Sequence, residues 1–300
     1  MEQKKINFKN RDIILSGFLN FPPGFDGKQK YPALVVTHPD GSVKEQTAGE
    51  YAKLFAENGY VTLVFDASYN GESTGAPHSY IDPALRVEDI SCAIDYLTTL
   101  AYIDKARIGG LGVCAGGGYM LSASLTEKRL KAIGTIAAVD LGMGLRGDDK
   151  AARIKLLEEV GEERTKIANG AEPSYYDNIA PTDEIAMQFP EYSLFRESRY
   201  YYTEYAPNPH AGVKIPVISR GKILGFTAMA LIPDLLSQPL MMVSGSKADT
   251  LGMSEYAVTL AGELGELYVA DGATHIDLYY KENYMREAVE KLSDFFGRNI

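Results

Sequence analysis

The stretch Gly110-Leu111-Gly112-Val113-Cys114-Ala115-Gly116-Gly117-Gly118-Tyr119 constrains this chain more than any other. Residues 107–113 read as a short buried strand, and residues 119–125 as the start of a packed helix. Between them lies Gly112-x-Cys114-x-Gly116, the spacing of a nucleophile elbow with cysteine at its tip. A sharp strand-to-helix turn holds its central residue in a strained backbone state, and side chains two positions either side would collide. A helix start also aims free N–H groups at the thiol, which favours thiolate. The same residues would serve a glycine-rich turn around a small buried cysteine, so the rest of the chain has to decide.

The segments on either side follow one rhythm. Residues 3–9 and 12–21 alternate apolar and polar, and Pro22-Pro23-Gly24 ends the second run, which predicts an antiparallel pair at a sheet edge. Residues 31–37, 60–65, 107–113 and 131–139 are nearly continuous apolar runs, as expected of strands covered on both faces. Helical spacing fills the gaps at 45–58 and 84–100. From residue 141 to about residue 235 the rhythm stops, with a charged helix at 150–168 and a tyrosine-crowded stretch at 175–205. It resumes with strand 239–243, helix 252–263, strand 266–270 and helix 282–297. Strands joined by helices pair in parallel through right-handed crossovers. The expectation is an α/β unit over residues 1–300: a mostly parallel sheet of about eight strands, helices on both faces, and a cap inserted at 141–235.

Charge and composition narrow the function. A net charge of −10 lacks the basic patches that nucleic acid or an anionic membrane surface requires. No run of about 18 apolar residues occurs and the first residues carry no apolar signal core, so the expected setting is cytoplasmic. There are two cysteines. Cys92 sits in an amphipathic pattern and is expected in the core, and no Cys/His cluster suggests zinc.

Ligands of such sheets bind beyond the carboxyl ends of the strands, where His38, Cys114, Asp249 and His275 fall. A catalytic thiol needs a base and a group that orients the base. Of the four histidines, 38, 78, 210 and 275, His275 follows the last strand and is the expected base. Asp249, after the preceding strand, is the expected acid, with Asp140 as its rival. The oxyanion donors are expected from the N–H of Ala115 and from Asp40 or Gly41, with Asp40 ahead, since Pro39 has no N–H. His38 is expected beside the substrate. Glu45 follows the oxyanion loop and is read either as a helix-start charge or as a contact of the resting thiol. Tyr201 and Tyr202 are read as lining an acyl pocket, with packing of the insertion or of a homodimer contact as the alternative.

Several motifs occur in one order along the chain: His38-Pro39-Asp40-Gly41-Ser42 with Lys44-Glu45-Gln46, Asp66 followed by Gly71 to Gly75, Gly112 to Gly118, and Gly272-Ala273-Thr274-His275. Together they resemble the dienelactone-hydrolase-like branch of the α/β hydrolases, over nearly the whole chain. The resemblance implies a cofactor-independent hydrolase acting on a small carboxylic ester, lactone or thioester through a Cys114 acyl-enzyme. Two alternatives stand beside it: acyl transfer on the same fold, and a non-catalytic ligand-binding or redox-sensing relative.

Overall fold

The computed structural model describes residues 2–300. The edge pair forms as the alternation predicts: β1 (Gln3–Asn10) turns Ile6 and Phe8 inward and pairs antiparallel with β2 (Ile13–Asn20). The next strands are β3 (Tyr31–Thr37), β4 (Val61–Phe65), β5 (Ile103–Val113) and β6 (Ile133–Ile136). A short ribbon of β7 (Tyr175–Asp177) and β8 (Lys214–Pro216) stands apart, and β9 (Leu240–Gly245) and β10 (Gly265–Ala270) complete the main sheet. Its order is β1-β2-β4-β3-β5-β6-β9-β10. In this sheet β2 runs antiparallel to both neighbours and the other pairings are parallel.

The first helices are α1 (Thr47–Glu57), α2 (Pro83–Thr99) and α3 (Ala115–Ser124). The insertion contributes α4 (Leu141–Arg146), α5 (Lys150–Ala168), α6 (Asp183–Ala186), α7 (Leu194–Tyr200), α8 (Ser219–Leu224) and α9 (Ile232–Leu235). The last are α10 (Leu251–Ala261), α11 (Asp277–Tyr280) and α12 (Glu282–Asn299). Two adjacent glycines of β5 show that both faces of the sheet are covered. A Cβ at Gly109 would meet Phe296 of α12, and one at Gly110 would meet Met120 of α3. Successive strand residues face opposite sides, so α12 and α3 lie on different faces. No helix among the described residues is long and apolar enough to cross a membrane.

Between β6, which ends at Ile136, and β9, which begins at Leu240, the chain leaves the sheet and runs over the carboxyl ends of the strands. Hydrogen bonds tie it to the loops there. Gln46 donates to the Ala206 carbonyl (2.6 Å), the Thr47 N–H to the Tyr201 hydroxyl (2.9 Å), and the Ile81 N–H to Ser219 Oγ (3.0 Å). After α7 the helix continues into a wider π turn, Tyr201–Tyr205. The ribbon and the π turn were not legible from spacing, because segments of three to five residues carry too little periodicity. Cys92 is partly buried against the core, as its pattern predicts.

Candidate active site

Strand β5 ends at Val113 and α3 begins at Ala115, which leaves Cys114 alone at the corner with φ 56° and ψ −124°. A non-glycine residue there stores about 1–3 kcal/mol of strain. Surrounding hydrogen bonds impose it: the Cys114 N–H donates to Ile136, and its carbonyl accepts from Gly117 and Val139, each at 2.9 Å. The flanking glycines are sterically required. A Cβ at Gly112 would lie 2.4 Å from the Gly116 carbonyl oxygen, and one at Gly116 would lie 2.6 Å from that of Thr37.

The thiol is buried and lines a cavity of about 210 Å³. Burial pushes its pKa up to about 12, opposed by hydrogen bonds from Tyr279 and the Ala115 N–H and reinforced by the charges of Asp40 and Asp249. His275 is fully buried, and desolvation alone lowers its pKa to about 3. Its Nδ1 lies 2.7 Å from Thr250 Oγ1 and its Nε2 3.2 Å from the Tyr279 hydroxyl. Thr250, His275 and Tyr279 thus form one hydrogen-bonded line, and its last member, Tyr279, lines the same cavity as Cys114 and lowers the pKa of the thiol. The resting pair is neutral thiol and neutral imidazole.

This line corrects the expected acid. Asp249 is exposed, and its Oδ2 accepts from the Leu194 N–H at the start of α7 (2.9 Å). The carboxylate therefore braces the insertion, and the hydroxyl of the next residue reaches the imidazole. The rival, Asp140, is fully buried but caps α4 through Met143 (2.9 Å) and holds the Ala228 N–H (2.8 Å). Asp249→Asn is therefore expected to keep kcat/KM within about threefold, whereas Thr250→Val lowers it about tenfold, the worth of one orienting hydrogen bond. Steady-state assays of the two variants side by side check this.

His38 does not face the cavity that holds the thiol. Its Nδ1–H donates to the Pro39 carbonyl (2.7 Å) and its Nε2 accepts from the Ala67 N–H (3.2 Å), so it braces the loop after β3. Burial, aided by Arg86, lowers its pKa to about 3. Glu45 is also displaced from its expected place. Its carboxylate joins those of Asp66 and Glu72 around Lys44 Nζ, each at 2.7 Å. The three acids could pass for a metal site, but the cation among them is the buried ammonium of Lys44.

Asp40 is half-buried and lines the thiol cavity, and its N–H and that of Gly41 donate to no protein group among the described residues. Ala115, at the first position of α3, directs its N–H at the thiol. Tyr202 lines the same cavity. Tyr201 instead stands behind Tyr279, edge-on at 5.1 Å, and lines a second, open cavity of about 440 Å³ that Tyr279 also borders. Tyr279 and Thr250 escaped the sequence reading. The one available signal was that Tyr279 follows His275 by four residues, a spacing that brings side chains together on a short helix.

The order of the strands, a cysteine on the turn after β5 and a histidine beyond the last strand define the class: this is an α/β-hydrolase fold. No protein-family model matches the chain. It belongs to the family of the uncharacterized protein YcjY of Escherichia coli (strain K12), with which it is 39% identical over 309 residues, the whole of both chains. PA2218 of Pseudomonas aeruginosa is 32% identical over 100% of this chain and 81% of its own. The crystal structure of PA2218 superposes with a TM-score of 0.89, covering 100% of this chain and 94% of that one. Thiohydrolase apmlB of Arthrinium phaeospermum is 30% identical over 61% of this chain and 58% of its own. At the level of fold alone, the α/β hydrolase GrgF from Penicillium matches with a TM-score of 0.83 at 20% identity, covering 100% and 99% of the two chains. Dienelactone hydrolase from Anabaena variabilis matches at 0.58 and 13%, covering 100% and 98%.

Proposed function

We propose that the protein hydrolyses a small carboxylic ester, lactone or thioester through an acyl group carried on Cys114. The observation that carries this reading is the strained, cavity-facing thiol beside Tyr279, whose hydroxyl bonds His275 Nε2. The fold and a relative named thiohydrolase support hydrolysis in general and favour the thioester among the three.

In the first step the thiol proton passes to the Tyr279 oxygen as the Tyr279 proton passes to His275 Nε2. The thiolate attacks the carbonyl carbon, and the N–H groups of Ala115 and Asp40 or Gly41 receive the oxyanion. Collapse expels the alkoxide or thiolate, which takes the proton back from His275. Water then gives a proton to the imidazole and attacks the acyl-enzyme, and collapse frees the acid and regenerates the thiol. The segment 141–235 works as the cap that keeps bulk water from the cavity. The same burial weighs against the redox-sensing alternative, because sensor thiols are exposed and of low pKa.

Intact-mass spectrometry after mixing with short aryl esters, lactones and thioesters tests the reading. The expected result is one added acyl mass that maps to Cys114 and decays with turnover. Turnover without any acyl mass on Cys114, or label on another residue, would overturn it.

A further inference from the structure

The cavity above Cys114 is largely apolar, with walls from Val139, Leu141, Ile179, Leu194 and Phe195, yet one of its lining residues is an acid, Asp40. The Tyr119 hydroxyl lies 3.2 Å and 3.3 Å from the two carboxyl oxygens, and no other described group donates to them. An ionised carboxylate is acceptor-only and has about four lone-pair sites, so most of its capacity remains for a ligand. Burial raises the pKa of Asp40 to about 6, opposed by Arg86 and by the Tyr119 hydrogen bond. Arg86 is itself buried, with Nε and Nη2 unpartnered among the described residues. With that cation already acting on the carboxylate, and with apolar walls around it, a neutral donor suits the site better than an ammonium group, whose burial costs more. At about 210 Å³ the space is below that of a drug-sized site and suits a short acyl group.

We propose that the Asp40 side chain reads the acyl half of the substrate, accepting short acyl groups that carry a hydroxyl and rejecting those that end in a carboxylate. This rests on the Cys114 acyl-enzyme reading. It concerns the side chain and is separate from the expected use of the Asp40 N–H as an oxyanion donor. Like charges placed together in a low-dielectric cavity repel strongly, whereas a site built to bond a hydroxyl discriminates against the analogue that lacks it.

The test compares acyl thioesters of one thiol and matched length: unsubstituted, hydroxyl-bearing at successive carbons, and carboxylate-bearing. In the wild type at least one hydroxyacyl thioester should exceed the unsubstituted one by about tenfold in kcat/KM, and the carboxylate should be the poorest. Asp40→Asn keeps the shape and the backbone N–H but removes the charge. Its ratio of carboxylate to unsubstituted turnover should rise by about tenfold or more, a gain that structural damage cannot produce. Tyr119→Phe removes the hydroxyl that holds the carboxylate and opposes the rise in its pKa, so it should weaken carboxylate rejection and hydroxyl preference together, in the direction of Asp40→Asn. Cys114 labelling with equal rates across the wild-type panel, or an unchanged ratio in Asp40→Asn, would overturn the assignment of Asp40 alone. Turnover without any Cys114 label would overturn the acyl-enzyme reading and this proposal with it.

Discussion

Cys114→Ala is expected to lower turnover of the best ester or thioester by about 10⁴-fold or more and to abolish acyl labelling. That is the order of loss when a nucleophile is removed from a site whose residues act as a unit. The magnitude follows from the geometry. The backbone at residue 114 holds the sulfur at the corner between β5 and α3, and Asp40 and Tyr202 line the same small cavity as the thiol. Cys114→Ser should recover only a small part of the loss. A hydroxyl is far harder to deprotonate than a thiol, and His275 has a threonine rather than a carboxylate at Nδ1 to support the imidazolium. A stability control separates lost chemistry from lost structure. Cys114→Gly relieves the strain of φ 56°, so it should melt no lower than Cys114→Ala while being equally inactive. Retained turnover in either variant, read by kcat and intact mass, would contradict the mechanism.

Lys44→Met should have the largest effect on stability. Both Lys44 and Asp66 are fully buried, and the ammonium lies 2.7 Å from Asp66 Oδ2 and above the Phe18 ring at 5.0 Å. Removing one partner of a buried pair leaves an uncompensated charge and costs about 3–5 kcal/mol. For a chain of this size that is a drop in Tm of roughly 10 °C. Asp66→Asn on top of Lys44→Met should recover part of it, because the stranded charge is gone. The pH dependence follows from Glu72. Hydrogen bonds from Lys44 and Lys5 lower its pKa to about 2 from an ordinary 4.5, so its contribution is present above 4.5 and disappears as pH falls towards 2. The gap in Tm between wild type and Lys44→Met should therefore narrow across that window. Activity should fall as well, since Asp66 also accepts from the Lys44 and Glu72 N–H groups and so ties the loop after β3 to the loop after β4. Equal melting of the two proteins at pH 7 would rule out a stabilising role for the clasp.

The fold was legible because its signals are local. Buried runs at 31–37 and 107–113, a 3.6-residue period at 84–100 and 282–297, and a break at 141 are properties of neighbouring residues, and they become β3, the end of β5, α2, α12 and the insertion. The elbow was legible for the same reason, since steric demand at Gly112 and Gly116 acts within a few residues of Cys114. Partners that meet across the molecule were less so. Nothing in the string Lys247-Ala248-Asp249-Thr250 says which of two adjacent side chains turns inward, and chemical type favoured the wrong one.

The sequence by itself determined the succession of strands along the chain and the glycine-cleared corner that carries a cysteine, because hydrophobic period and glycine sterics are written residue by residue. Only the tertiary structure decided that Thr250 rather than Asp249 bonds the imidazole, that Tyr279 meets the other ring nitrogen, and that Glu45 belongs to the Lys44 clasp. Those outcomes depend on the directions of side chains from loops far apart in sequence. Such directions are set by how the insertion and the final helices pack over the ends of the strands.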